Sequence, residues 1–306
     1  MAFTSKDVMA LREKTGVGMM DCKKALQESD GDMDKALDYL REKGLAKQAK
    51  KATRVAAEGM AYATVDYDKK VGVVVEVNSE TDFAAKSDKF VEFVKEVAQV
   101  IIDQNPADVE ALMAATVNGQ TMADILRDKV MVIGENLSVR RFVRYEGDCV
   151  AYVHGGGRIG VLVKFEADAA ASGSDALIEC GKDVAMQIAA LNAAYLDEAS
   201  VPADVVAHEK EVQLALIKND PKNASKPEAV LEKMIIGKMR KYFEEICLVN
   251  QAFVKDGNIN VAQYVEQQAK IAGGAMTLAS FVRYEKGEGI QKREDDFASE
   301  VASMVK

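Results

Sequence analysis

The pentapeptide Phe-Val-Arg-Tyr-Glu occurs twice without change, at 142–146 and at 281–285. A repeat this strict in a chain of 306 residues indicates one fold unit used twice. A second matched pair lies upstream of each copy. Val71-Gly72-Val73-Val74-Val75-Glu76-Val77 resembles Ile159-Gly160-Val161-Leu162-Val163-Lys164-Phe165. The stretch from apolar run to pentapeptide is roughly 50 residues longer in the second copy, so that copy carries an insertion of the kind a surface connection tolerates.

Hydrophobic periodicity fills in each unit. Runs at 61–65 and 71–77 flank the polar stretch 66–70, which reads as a hairpin. Phe90, Phe93, Val94, Val97 and Ile101 then follow a helical period. Pro106 punctuates, two shorter helices are expected near 107–115 and 121–132, and a strand at 137–144 closes the unit. The second copy repeats the order with strands at 150–153 and 159–165, a helix near 174–193 and a strand at 276–284. The expected class is α+β, with helices on one face of each antiparallel sheet.

The extra residues, roughly 200–265, contain two strongly helical stretches at 205–217 and 228–249, with Pro221 and Pro227 bracketing the turn. Leu231, Ile235, Met239 and Ile246 line one face. A projecting helical hairpin of this kind leaves apolar surface that either packs back on its own unit or joins a second copy, and a homodimer is the expectation. Before the repeats, residues 4–43 read as three short helices. Thr4 and Asp7 have capping-box spacing, Gly16 and Gly18 break the first helix, Asp32 starts the third and Gly44 ends it. Residues 45–59 are then expected to form a tether, in part helical.

Composition excludes several classes. Apolar residues make up 48% and charged residues 29%, with no apolar run approaching the ~18 residues that span a bilayer. No signal core or transit pattern opens the chain, so a cytoplasmic protein without a membrane partner is expected. The four cysteines (Cys22, Cys149, Cys180, Cys247) lack metal-ligand spacing and read as reduced thiols. A net charge of −9 argues against nucleic acid. The local exception is Lys43, Lys47, Lys50, Lys51 and Arg54, either a solvated linker or a phosphate-contacting stripe.

Catalytic motifs are missing. The two histidines, His154 and His208, stand in no metalloprotease pattern, and there is no nucleophile elbow or Walker A string. Gly16-Val17-Gly18 has Asp21 where a dinucleotide loop needs its third glycine. Gly155-Gly156-Gly157 lies between strands and reads as a hairpin turn. The unusual segment is Asn78-Ser79-Glu80-Thr81-Asp82-Phe83, directly after an apolar strand and before a helix. Thr81 or Asp82 can be a plain N-cap with Phe83 stapled into the core. Alternatively the loop presents a carboxylate and an aromatic ring to a partner, since aromatic anchors dominate interface energies.

The sequence closely resembles the bacterial elongation factor Ts family. The resemblance rests on 11–26 (Leu-Arg-Glu-Lys-Thr-Gly-Val-Gly-Met-Met-Asp-Cys-Lys-Lys-Ala-Leu) and on 76–86 (Glu-Val-Asn-Ser-Glu-Thr-Asp-Phe-Ala-Ala-Lys). It also rests on Ile133-Gly134-Glu135-Asn136, His154-Gly155 with Arg158-Ile159-Gly160, and Gly287-Glu288-Gly289-Ile290. The matches run in order over essentially the whole chain; one departure is Ala84, where the family usually has Val.

The resemblance implies an N-terminal ubiquitin-associated-like module with linker (1–54), a core N-subdomain (55–147) and a core C-subdomain (148–286). The C-subdomain would carry a coiled-coil hairpin at about 195–250, and a C-terminal helical module would occupy 287–306 with a helix near 295–304. It also implies a guanine-nucleotide exchange factor of translation elongation whose partner is elongation factor Tu, with no cofactor and no bond chemistry. Thr81, Asp82 and Phe83 would form the loop that meets the partner's G domain near its Mg²⁺. Met19, Met20, Lys23, Ile133 and His154 would be further contacts, and the C-terminal helix would dock on the same G domain. A non-catalytic adaptor of ubiquitin-associated type is the competing reading, resting on residues 4–43 alone.

Overall fold

The computed structural model describes residues 3–223 and 226–291. The helix expected near 295–304 lies outside the described residues. Three helices open the chain, α1 (Ser5–Thr15), α2 (Met19–Glu28) and α3 (Met33–Lys51). Asp7 accepts from the backbone N–H and the hydroxyl of Thr4 at 2.7 and 2.8 Å, which fixes the entry to α1. Gly16 closes that helix in the left-handed region at φ 67°. Asp32 accepts from the N–H groups of Asp34 and Lys35 and so starts α3. Val8, Leu11, Cys22, Leu26, Ala36 and Leu40 form the small core these helices share.

The first α+β unit follows. It comprises β1 (Glu58–Asp66), β2 (Val71–Ser79), the four-residue α4 (Asp82–Ala85), α5 (Asp88–Gln104), α6 (Val109–Ala114), a minimal hairpin of β3 (Thr116–Val117) and β4 (Gln120–Thr121), α7 (Met122–Ile133) and β5 (Ser138–Glu146). The second comprises β6 (Asp148–His154), β7 (Ile159–Ala167), α8 (Asp175–Leu191), the pair α9 (Ala203–Asn219) and α10 (Glu228–Ile246), then β8 (Ala252–Phe253), β9 (Asp256–Asn260), α11 (Val261–Ala272) and β10 (Met276–Glu285). The sheets run β1-β2-β5 and β10-β7-β6, antiparallel throughout. The repeat thus reaches further than the sequence indicated. A tiny hairpin and a capped helix precede the last strand in both units, with Thr121 capping α7 and Asn260 capping α11. Even the bulge recurs, in β5 opposite Glu76–Val77 and in β10 at Leu278–Ser280 opposite Phe165–Lys164.

The two sheets pack face to face. β2 is buried at every position. Val71, Val73, Val75 and Val77 share a core with Phe90, Phe93, Val97 and Ile101 of α5, while Val74 meets Ala63, Cys149 and Leu162 on the opposite side. A central strand covered on both faces has no polar side to show, which accounts for its apolar run over 71–75. The glycine at the same place in each copy has the same reason. A Cβ at Gly72 would stand 2.7 Å from Leu162 Cδ1 and 2.8 Å from Cys149 Cβ, and one at Gly160 would stand 2.9 Å from the Ala61 carbonyl oxygen. The repeated pentapeptide serves this interface as well. Val143 and Tyr145 of the first copy, and Val282 and Tyr284 of the second, line the layer between the sheets. Phe142 and Phe281 turn to their own helices instead.

One expectation is corrected. Gly44 does not end α3, which continues to Lys51 through about the first half of the expected tether. A Cβ at Gly44 would lie 2.5 Å from Met131 Sδ and 3.2 Å from Arg127 Cδ, so the missing side chain lets α3 approach α7. Met131 and Val132 join the apolar cluster of the three helices, which therefore sit on the first unit. α9 and α10 contact each other and bury little, only Ile217 and Met239 being fully covered, while Leu216 and Ile236 are 60% and 69% exposed.

Candidate partner-contact site

β2 runs through the core and ends at Ser79, and the chain then turns outward. Ser79 Oγ donates to the Thr81 carbonyl at 3.0 Å. Thr81 is the N-cap of α4, its hydroxyl accepting from the Ala84 N–H at 3.2 Å. Ala84 and Ala85 are buried, and Ser87 starts α5 directly behind them. The ring of Phe83 is 85% exposed. Of the two sequence readings of this loop, the capping part holds for Thr81, but Phe83 staples nothing. Ala84, where the family usually has Val, lies buried behind the tip.

Asp82 forms an ion pair with Lys86 at 2.6 Å, one helical turn on. The Lys86 ammonium holds the Asp82 carboxyl below the ordinary carboxylate range, first by its hydrogen bond and then by its charge, with Lys286 adding to the effect. Between such exposed partners the pair contributes little to stability. It does hold the carboxylate in place beside the ring.

The base of this tip is gripped from three sides. Glu135, just after α7, accepts from the Thr81 N–H at 2.9 Å and from the Thr81 hydroxyl at 2.6 Å. Glu80 accepts from the Asn136 N–H at 2.6 Å and from Arg54 at 3.3 Å. The Asn136 amide donates to the Arg54 carbonyl at 2.9 Å, and Lys51 donates to the Gly134 carbonyl. Lys51 and Arg54 of the basic cluster thus contact the core, while Lys43 lies over the Tyr39 ring at 5.4 Å.

The structure brings Thr81, Asp82 and Phe83 together and sets Ile133 two residues from the carboxylate that holds them. Ile133 is half-buried against the first core. Met19, Met20 and Lys23 lie elsewhere, on the exposed side of the first two turns of α2, where Met19 and Lys23 line a shallow groove with Phe3, Val8 and Met9. His154 ends β6 on the second sheet, exposed, with Nδ1 at 3.0 Å from the Tyr152 hydroxyl. Its neighbours Gly155, Gly156 and Gly157 all have positive φ and make the expected hairpin turn. Residue-by-residue reasoning missed Glu135, Asn136, Arg54 and Lys51 as supports of the tip. The signal for two of them lies in the Ile133-Gly134-Glu135-Asn136 string that carries part of the family resemblance.

The site is therefore one of display, a carboxylate and a ring held out from the end of a buried strand, and the class is an α+β protein of two sheet units carrying such a tip. The family model described as Elongation factor TS matches residues 80–288. Elongation factor Ts of Clostridium perfringens (strain 13) is 48% identical over 305 residues, 98% of each chain. That of Clostridioides difficile (strain 630) is 48% identical over 309 residues, 99% of each chain. That of Trichlorobacter lovleyi is 46% identical over 312 residues, covering 100% of this chain and 99% of the relative. The chain belongs to the elongation factor Ts family of translation factors. No helix among the described residues is long and apolar enough to cross a membrane.

Proposed function

We propose that this chain is a guanine-nucleotide exchange factor for elongation factor Tu, acting through the Asp82–Phe83 tip. The observation that carries the reading is an aromatic ring left 85% exposed at the end of a strand buried along its whole length. An apolar ring that the fold holds outside its own core is suited to entering another protein's.

The physical work of such a factor is differential binding. GDP and Mg²⁺ hold a GTPase closed through charge-assisted contacts to the phosphates. A factor that binds the nucleotide-free form better must weaken nucleotide binding by the same factor. Phe83 inserted between elements of the G domain displaces the Mg²⁺ ligands and the phosphate loop. Asp82 brings a negative charge toward the cation's surroundings. Each ~1.4 kcal/mol of lost nucleotide affinity is tenfold in binding. Met19, Met20 and Lys23 on α2, Ile133 at the end of α7 and His154 at the end of β6 supply further contacts, so that the partner is held while the tip acts. The chain itself forms and breaks no bonds and requires no cofactor. The exposed apolar residues of α9 and α10, Leu216 and Ile236 among them, support self-association through this hairpin.

The test is release of fluorescent GDP from elongation factor Tu with the full chain and with Phe83→Ala. The variant is expected to fold normally, since the ring packs on almost nothing, and to lose most of the stimulation. Undiminished release would remove the basis of the reading.

A further inference from the structure

We infer that Glu135 is a positioning residue for exchange, fixing the tip through Thr81 without itself meeting the nucleotide site; this rests on the exchange reading above. Thr81 immediately precedes Asp82 and Phe83. Glu135 takes both of its available hydrogens, from the N–H at 2.9 Å and from the hydroxyl at 2.6 Å. With its hydrogen committed to Glu135, the hydroxyl oxygen accepts from the Ala84 N–H at 3.2 Å. One carboxylate therefore sets both the direction in which the chain leaves β2 and the cap of α4, the short helix on which Asp82 and Phe83 are mounted. Four residues of helix are too few to hold a direction unaided.

Glu135 is itself located from behind. Its neighbour Gly134 receives Lys51 through its carbonyl, and its other neighbour Asn136 bonds Glu80 and the Arg54 carbonyl. The C-terminal end of α3 thus meets the α7–β5 turn where that turn holds the tip, and the three-helix unit has a continuous polar path to Phe83. Charge-assisted bonds of this kind are stronger than neutral ones and fix geometry. Misplacing a reacting or wedging group by a fraction of its size is costly in rate even when every contacting residue is intact.

The test compares Glu135→Ala and Glu135→Gln with the parent chain in GDP release from elongation factor Tu over a range of factor concentrations. Glu135→Ala is expected to lower the maximal release rate about ten- to a hundredfold while the half-saturating concentration stays within about threefold. Glu135→Gln keeps an acceptor for the Thr81 N–H and should recover part of the rate. In a Thr81→Val background, which has already lost the hydroxyl, Glu135→Ala should cost distinctly less than in the parent. A raised half-saturating concentration with an unchanged maximum would make Glu135 a partner contact and overturn the inference. So would undiminished release by Glu135→Ala alongside a defective Phe83→Ala. Undiminished release by both variants would instead remove the exchange reading itself.

Discussion

Removing the carboxylate of Glu76 tests whether the two units are locked together at the strand that carries the tip. Glu76 lies in β2 and is fully buried. A bulge in β5 turns two consecutive arginines onto it, Arg140 at 3.0 Å and Arg141 at 2.6 Å. The Asn78 amide donates at 3.1 Å, and the Gly287 N–H, from beyond β10 of the second unit, donates at 2.7 Å. Arg141 also stacks over Tyr284 at 4.1 Å and pairs with Glu288 at 3.0 Å.

In Glu76→Ala the Gly287 N–H and the Arg140 guanidinium lose their acceptor, and Arg141 keeps only its pairing with Glu288. Breaking a fully buried pair costs about 3–5 kcal/mol. The arginine side chains here are 30% and 31% exposed and can rehydrate in part, so about 3 kcal/mol, the low end, is expected. Glu76→Gln keeps the shape but faces two cations with a neutral amide, at about 1.5–3 kcal/mol. Urea unfolding followed by circular dichroism reads these costs. With a slope of roughly 3 kcal/mol per molar for a chain of this size, Glu76→Ala should lower the midpoint by about 1 M. A shift below about 0.2 M at an unchanged slope would show that the cluster contributes nothing net and would refute the reasoning.

Lys86→Ala should raise the Asp82 carboxyl toward its ordinary value of 3.8, which carbon-detected NMR titration reads directly. The sign follows from the folded-state depression. The ion pair's contribution is present above the unfolded value and fades as pH falls through the lower folded one, so this group should not titrate between about pH 6 and 8. An Asp82 value that fails to rise would mean Lys86 is not the cause. Replacing 203–246 with a short flexible linker should abolish the proposed self-association while leaving exchange intact. A sedimenting mass per chain that matches the parent's oligomeric state would show that the hairpin is not the contact.

Most of the fold was legible because its signals are local. Gly16 and Asp32 are chemically committed to ending and starting helices, and an alternating or unbroken apolar run reports how many faces of a strand are covered. What escaped depends on partners distant in sequence. Gly44 has the same local appearance whether it stops a helix or lets one touch Met131, and only the presence of α7 decides. The hairpin β8–β9 and α11 were lost because β8 has two residues and the long insertion before them masked the repeat. The class of packing, two sheets back to back, was implicit in the paired glycines Gly72 and Gly160, but a glycine within an apolar strand does not say what approaches it.

The candidate site divides along the same line. The residues alone leave Asp82 and Phe83 open between a plain helix start and a displayed pair, and it is the family resemblance of 76–86 that points to them as the tip. Glu135 could not stand out, because its role is defined by a hydrogen-bonded partner 54 residues away. The same holds for Glu80, whose donors Asn136 and Arg54 come from 56 and 26 residues away on opposite sides in sequence. These supports explain how the tip can be both exposed and ordered. An exposed ring on a free loop would sample many directions and lose that freedom only on binding, at a cost of about 0.5–1.5 kcal/mol for each side chain immobilised. Here the bonds at Thr81 and Glu80 restrict the backbone before any partner arrives, while Ala84 and Ala85 are the residues of α4 that turn inward and the Phe83 ring stays outside. The distribution of polar contacts therefore fixes the direction in which Phe83 leaves the fold while its ring stays exposed, which is the arrangement the proposed exchange reading requires.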